Sequence, residues 1–182
     1  MVKILQQEHK VLRQMAKEVP IKDIKTPKIK KVIADMKKAM YSQKDGVAIA
    51  APQIGISLRI FVVSGKIFYV DKEDIEKTDK ESLKKYESKD MVFINPEITK
   101  LSKKKELADE GCLSVRWIYG KTKRAKRATV KAYSEDGELF ERGGGGLLAQ
   151  VYQHETDHLN GILFNDHATH LQEIKPQKDA DQ

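Results

Sequence analysis

Gly146-Leu147-Leu148-Ala149-Gln150-Val151-Tyr152-Gln153-His154-Glu155-Thr156-Asp157-His158-Leu159-Asn160-Gly161 reads as one helix with a glycine at either end. Residues 147–160 carry the apolar spacing of a buried helix face, and Gly161 is suited to end it, since glycine takes the left-handed cap conformation without strain. Leu147, Val151, His154 and His158 fall on one continuous stripe. Histidines four apart on a helix sit one turn apart on the same side, the spacing at which two imidazoles hold one divalent metal. Glu155 lies just off the stripe, within reach of a metal-bound water without being a ligand. Two core histidines bonded to carbonyls are the bland alternative, and a pair flanking a glutamate at this spacing argues against it.

A metal needs further ligands. The extended zinc-protease pattern H-E-x-x-H-x-x-G-x-x-H is matched through Gly161 and then fails, because Phe164 stands at the third histidine position. His167 and His170 have other spacings, and Glu173 is a possible carboxylate near the tail. Cys112, in Glu110-Gly111-Cys112-Leu113-Ser114, is the remaining soft donor. One thiolate and two neutral imidazoles would leave a divalent ion at net +1 with a fourth position open.

Working outward, residues 27–41 predict a helix. Thr26 caps it, Pro27 opens it, and Ile29, Val32, Ile33, Met36 and Met40 share one face. Residues 58–63 read as a buried strand, and residues 91–94 and 98–107 as two more. Residues 128–133 and 138–141 predict a hairpin around Glu135-Asp136-Gly137, and the four glycines at 143–146 predict a flexible turn. Fourteen of the 20 residues at 71–90 are charged, which predicts a solvated surface insertion. Residues 175–182 predict a frayed tail. The six basic residues at 121–131 are read either as a solvated strand edge or as a phosphate contact.

The chain has 182 residues, enough for one domain with its own core. It has no apolar run of the roughly 20 residues that a membrane span needs. Its one cysteine precludes an intrachain disulfide and fits a reducing cytosol. The N-terminus reads as neither a secretory signal nor a transit peptide, so a cytoplasmic location is expected. Thirty-four basic and 27 acidic residues leave a net charge of +7, which attracts polyanions such as ribosomal RNA.

The segment Gly46-Val47-Ala48-Ile49-Ala50-Ala51-Pro52-Gln53 adds a run of small residues and an uncharged amide. With Glu110-Gly111-Cys112-Leu113-Ser114 and Gln153-His154-Glu155-Thr156-Asp157-His158, it resembles the three motifs of the peptide deformylase family, in the family's order. The likeness spans residues 8–166. Ala48 replaces a second glycine, Ile49 a common leucine, and Arg116 a common proline.

The resemblance implies an α+β fold, mostly antiparallel sheets around a central metal-binding helix, in a single catalytic domain. It implies ligands Cys112, His154 and His158 around one divalent ion, Fe²⁺ in the cell, with Zn²⁺, Ni²⁺ or Co²⁺ able to occupy the site. Its substrate would be the formyl-methionyl end of nascent polypeptides, and its product formate. Glu155 would move the proton; Gln53 and the Leu113 backbone N–H would stabilise the oxyanion. Gly46 and Gly111 would meet the peptide backbone, and Leu147 and Val151 would line the methionine pocket. Transient ribosome contact through the basic surface is expected, with no membrane and no DNA partner. A zincin-like endopeptidase and a basic RNA-binding module with a structural metal are the rival readings.

Overall fold

The structure is a computed structural model and describes residues 2–69 and 80–175. Three α-helices stand among the described residues: α1 (Pro27–Tyr41), α2 (Lys80–Glu87) and α3 (Leu147–Leu159). Five strands, β1 (Ala48–Ala50), β2 (Ile60–Val63), β3 (Met91–Leu101), β6 (Arg127–Tyr133) and β7 (Leu139–Gly145), form one antiparallel sheet in the order β1-β2-β3-β6-β7. The other three, β4 (Lys105–Cys112), β5 (Val115–Ala125) and β8 (Thr169–Glu173), form a second antiparallel sheet in the order β4-β5-β8. The expected α+β architecture is therefore the one observed.

The sheet is buried on both faces at β1 and β2, which explains why β2 reads as an unbroken apolar run instead of an alternating one. Ile49, Ile60, Val62, Val92 and Ile94 pack with Ile29, Ile33, Met36 and Met40 of α1. Ala48, Ala50, Phe61, Val63 and Phe93 pack with Ala149, Tyr152 and Leu159 of α3. Successive residues of β2 thus serve opposite helices, as a period of two requires. Phe61 stacks on Phe93 at 4.5 Å between centroids, and Tyr152 meets Phe93 edge-on at 5.3 Å. Fully burying each such ring contributes about 1.5–3 kcal/mol. This packing fixes α3, and with it the histidines, in the middle of the molecule.

α1 begins and ends where the sequence puts it, and the Thr26 side chain accepts a hydrogen bond from the Ile29 N–H. The glycine run differs from expectation. Gly143, Gly144 and Gly145 are paired strand residues opposite Thr129, Ala128 and Arg127, and Gly146 alone makes the turn into α3, at φ +55°. The reason is packing: a Cβ on Gly144 would stand 2.8 Å from Leu148 Cγ and 3.1 Å from Tyr152 Cε2. α3 lies directly on that backbone. At the other end Gly161 takes φ +76°, as the sequence anticipates.

The two strands expected at 91–94 and 98–107 are divided differently. β3 continues through Pro96 to Leu101, with its register slipping between Ile94 and Glu97. Asn95 sits there at φ +51°, its side chain bonded to both the N–H and the carbonyl of Val19. Of the charged segment, residues 71–79 lie outside the described residues. The rest is anchored, not merely solvated: Tyr86 is buried, and the Asp90 carboxylate accepts from the Tyr41 hydroxyl and the Gly65 N–H. Of the expected frayed tail, residues 176–182 lie outside the described residues.

Candidate metal centre

α3 delivers His154, Glu155 and His158, all buried, against the turn that joins β4 to β5. Cys112 ends β4 at that turn, where the register shifts after Gly111. Ligand atoms of Cys112, His154 and His158 all lie within 4.8 Å of one another, and the Cys112 Sγ stands 3.2 Å from His158 Nε2. A tetrahedral ion with bonds of about 2.3 Å to sulfur and about 2.0 Å to nitrogen fits such a group. His167, His170 and Glu173 are not part of it.

The electrostatics fit a cation as well. Burial pushes the His158 imidazole well below its usual pKa, and His154 beside it adds to this, so His158 is neutral and ready to ligate. Burial also pushes His154 down, but its bonds to Cys112 and Glu110 outweigh that and hold it well above the usual value. A divalent ion bound among these groups would take the place of protons on its ligands. Two donors support the sulfur: the Ser114 backbone N–H at 3.3 Å and Gln53 Nε2 at 3.6 Å.

Glu110 holds the centre from behind. Its Oε1 lies 2.5 Å from His154 Nδ1, which leaves Nε2 for the ion. Arg124 clamps the same carboxylate with Nη2 on Oε1 at 2.7 Å and Nε on Oε2 at 3.0 Å, and the Thr122 hydroxyl donates to Oε2. A third arm, Arg124 Nη1, reaches Asp157 on α3 at 2.6 Å. Burial alone would raise the Glu110 carboxyl; His154 and Arg124 overcome it and hold Glu110 well below the usual carboxylate range. Gln153 then ties α3 to the end of β5 through both the N–H and the carbonyl of Ala125.

A cleft of about 260 Å³ opens beside the centre. Gln53, Gly111, Cys112, Leu113, Leu147, Val151, His154 and Glu155 all line it, so the structure brings these expected site residues together. His158 lies beneath, within the ligand group. Gly46 stands between the lining residues Asp45 and Val47, and a Cβ there would meet the Met40 carbonyl oxygen at 2.3 Å. That close approach is a packing reason for glycine at this position. Gln53 is 2% exposed, and its Oε1 accepts from the Ala50 N–H at 2.8 Å. With the oxygen so committed, its amide nitrogen faces Cys112 and Ser114. Glu155 is another buried group that lines the cleft. Burial pushes its carboxyl up to about 7, with His154 opposing, and its Oε2 has no hydrogen-bond partner among the described residues.

Sequence reading missed the roles of Glu110, Arg124 and Asp157, although two of them stand inside quoted motifs. The basic stretch at 121–131 is neither simply solvated nor a free phosphate surface. Arg124 is buried in the network just described, Lys121 pairs with Asp109 at 2.8 Å, and Lys126 pairs with Glu106 at 2.5 Å. The usable signal was the alternation of β5, which turns Thr122 and Arg124 inward between Lys121, Lys123 and Lys126.

An H-E-x-x-H helix, a thiol donor and a buried glutamate at a small cleft define a metal-dependent hydrolase of amide bonds. The polypeptide deformylase family matches residues 1–173, and the chain belongs to it. The chain is 40% identical over 156 residues to the peptide deformylase of Pseudothermotoga lettingae, covering 86% of this chain and 76% of that one. It is 41% identical over 162 residues to that of Carboxydothermus hydrogenoformans, covering 88% and 89%. The crystal structure of a class I type b peptide deformylase from Acinetobacter baumannii bound to Met-Ala-Ser superposes with a TM-score of 0.75 at 30% identity, over 92% of this chain and 98% of that one. The enzyme is thus a metal-dependent peptide deformylase that removes the N-formyl group from nascent chains. This excludes both the endopeptidase and the purely RNA-binding readings.

Proposed function

We propose that Cys112, His154 and His158 hold the ion, that Fe²⁺ is the native metal, and that the cleft beside them takes the formyl-methionyl end of the substrate. The observation carrying this reading is the convergence of one thiol, two imidazoles, Glu155 and the Gln53 amide on one cleft. When bound, the ion supplies Lewis acidity toward water and toward the formyl oxygen.

The chain's own groups do the rest. Glu155 takes a proton from the attacking water on its unpartnered Oε2 and returns it to the departing amine. Its elevated pKa suits a group that both accepts and donates near neutrality. Gln53 Nε2 and the Leu113 backbone N–H donate to the formyl oxygen as it gains charge. Gly46, between the lining residues Asp45 and Val47, and Gly111 present backbone to the peptide, and Leu147 and Val151 flank the methionine side chain. The net charge of +7 supports transient contact with ribosomal RNA in a cytoplasmic setting.

Formate release from formyl-Met-Ala-Ser by anaerobically purified protein tests the reading. Glu155→Gln is expected to keep its metal while kcat falls by about 10²–10⁴-fold. Full activity in a metal-loaded Glu155→Gln protein would remove the base from this assignment. Iron in the anaerobic preparation, with activity lost on aeration, is the result expected of a thiolate-ligated Fe²⁺. Undiminished activity after prolonged aeration would point to Zn²⁺ or Ni²⁺.

A further inference from the structure

Arg116 stands where the family commonly has proline, and its side chain has found definite work. Its Nη1 donates to Asp45 Oδ2 at 2.7 Å, and its Nη2 to Gln43 Oε1 at 2.6 Å and Asp45 Oδ1 at 3.3 Å. Asp45 belongs to the segment leading into β1, and Arg116 to the β4–β5 hairpin that carries Cys112. Both line the cleft, so this guanidinium ties one wall of the cleft to the other. Its side chain is only 20% exposed, unlike a free surface arginine.

Trp117 follows at φ +65°, a conformation that bulky residues rarely take. It is held there from both sides. Its carbonyl accepts the Ile174 N–H at 2.7 Å, and the Arg116 guanidinium lies 5.6 Å from its ring centroid. The indole also lines the cleft and is partly exposed, as is the neighbouring Tyr119 ring. At about 260 Å³ the cleft is smaller than the roughly 300–1,000 Å³ of sites that enclose drug-sized ligands. It has room for the first residue of a peptide, and Trp117 and Tyr119 stand exposed at its edge, open to the residues that follow.

We propose that Arg116 is a positioning residue for the substrate beyond its first residue, fixing the Gln43–Asp45 wall against the hairpin, and that Trp117 is the surface on which the second and third residues lie. The proposal rests on the reading of this cleft as the substrate site. It predicts that the latch acts on binding of longer peptides and not on the chemical step.

Trp117 is the chain's one tryptophan, so its emission reports on this rim directly. Titration of the full-length protein with Met-Ala-Ser is expected to change that emission saturably, whereas methionine amide is not. Arg116→Ala and Asp45→Asn are each expected to raise Kd for Met-Ala-Ser, and KM for formyl-Met-Ala-Ser, by about three- to fivefold, the upper range for a partly exposed ion pair. kcat is expected to stay within about twofold, and KM for formyl-methionine amide to be unaffected. The double variant Asp45→Arg with Arg116→Asp is expected to recover most of the loss. An emission that ignores saturating tripeptide would overturn the proposal. So would equal KM increases for both substrates, or a fall in kcat with KM unchanged. If Arg116→Ala does not fold, Asp45→Asn carries the same test on an exposed side chain. A wild-type protein that releases formate from neither substrate would instead defeat the reading of the cleft, while the emission titration still decides the role of the rim.

Discussion

Two arginines eight residues apart on β5 do different things with the same chemistry. Arg124 is 8% exposed and spends its guanidinium on Glu110 and Asp157, behind His154. Arg116 spends its own on Gln43 and Asp45 at the mouth of the cleft, with Asp45 56% exposed. In the interior a charge without its partner is costly, so the Arg124 network fixes one arrangement of the metal centre. At the rim, water competes for the same bonds, so the Arg116 latch can bias a loop without committing the fold to it.

Removing the deep arginine should have the larger effect. Arg124→Ala leaves Glu110 buried and short of two donors, and is expected to destabilise the protein by about 3–5 kcal/mol in urea unfolding and to weaken metal retention. A loss no greater than that of a surface variant would erase the contrast between the two sites. Gln53→Ala tests a buried group that is neutral. It is expected to lower kcat about 10²–10³-fold in formate release, with little change in unfolding midpoint beyond the loss of its bond to Ala50. Arg116→Ala is expected to cost at most about 1 kcal/mol of stability in the same urea titration, and less as salt is added. A cost matching that of Arg124→Ala would make the rim pair a structural element of the fold.

How far the sequence reached follows the same division between local and distant causes. α1 is legible end to end because its cap, its proline and its apolar spacing all lie within its own residues. The hairpin between β6 and β7 is legible at its turn, where Gly137 takes φ +77° and the Ser134 carbonyl accepts the Gly137 N–H. The spacing of His154, Glu155 and His158 is equally local, and so the catalytic helix is plain in the sequence.

What escaped depends on residues far apart in the chain. Gly143–Gly145 read as a turn because nothing local shows Leu148 and Tyr152 lying on that backbone. β3 runs past Pro96 because Asn95 is held by Val19, 76 residues away in sequence. β8 has five exposed residues and no apolar alternation, and exists because β5 offers it an edge. Arg124 looked like one of six basic residues until Glu110 and Asp157 were seen on either side of it. Cys112 entered the reading as the remaining soft donor and through the resemblance of its motif, since no spacing along the chain connects it to His154, 42 residues later.

The proposed chemistry requires this thiol and the two imidazoles to share one ion. Metal content of protein purified without oxygen, compared across wild type, Cys112→Ala and His158→Ala, tests it most directly. The expected result is about one divalent metal per wild-type chain and near-complete loss in both variants, each still folded by circular dichroism. Full metal occupancy in Cys112→Ala, retained through dialysis against a chelator, would contradict the claim and move the third ligand elsewhere.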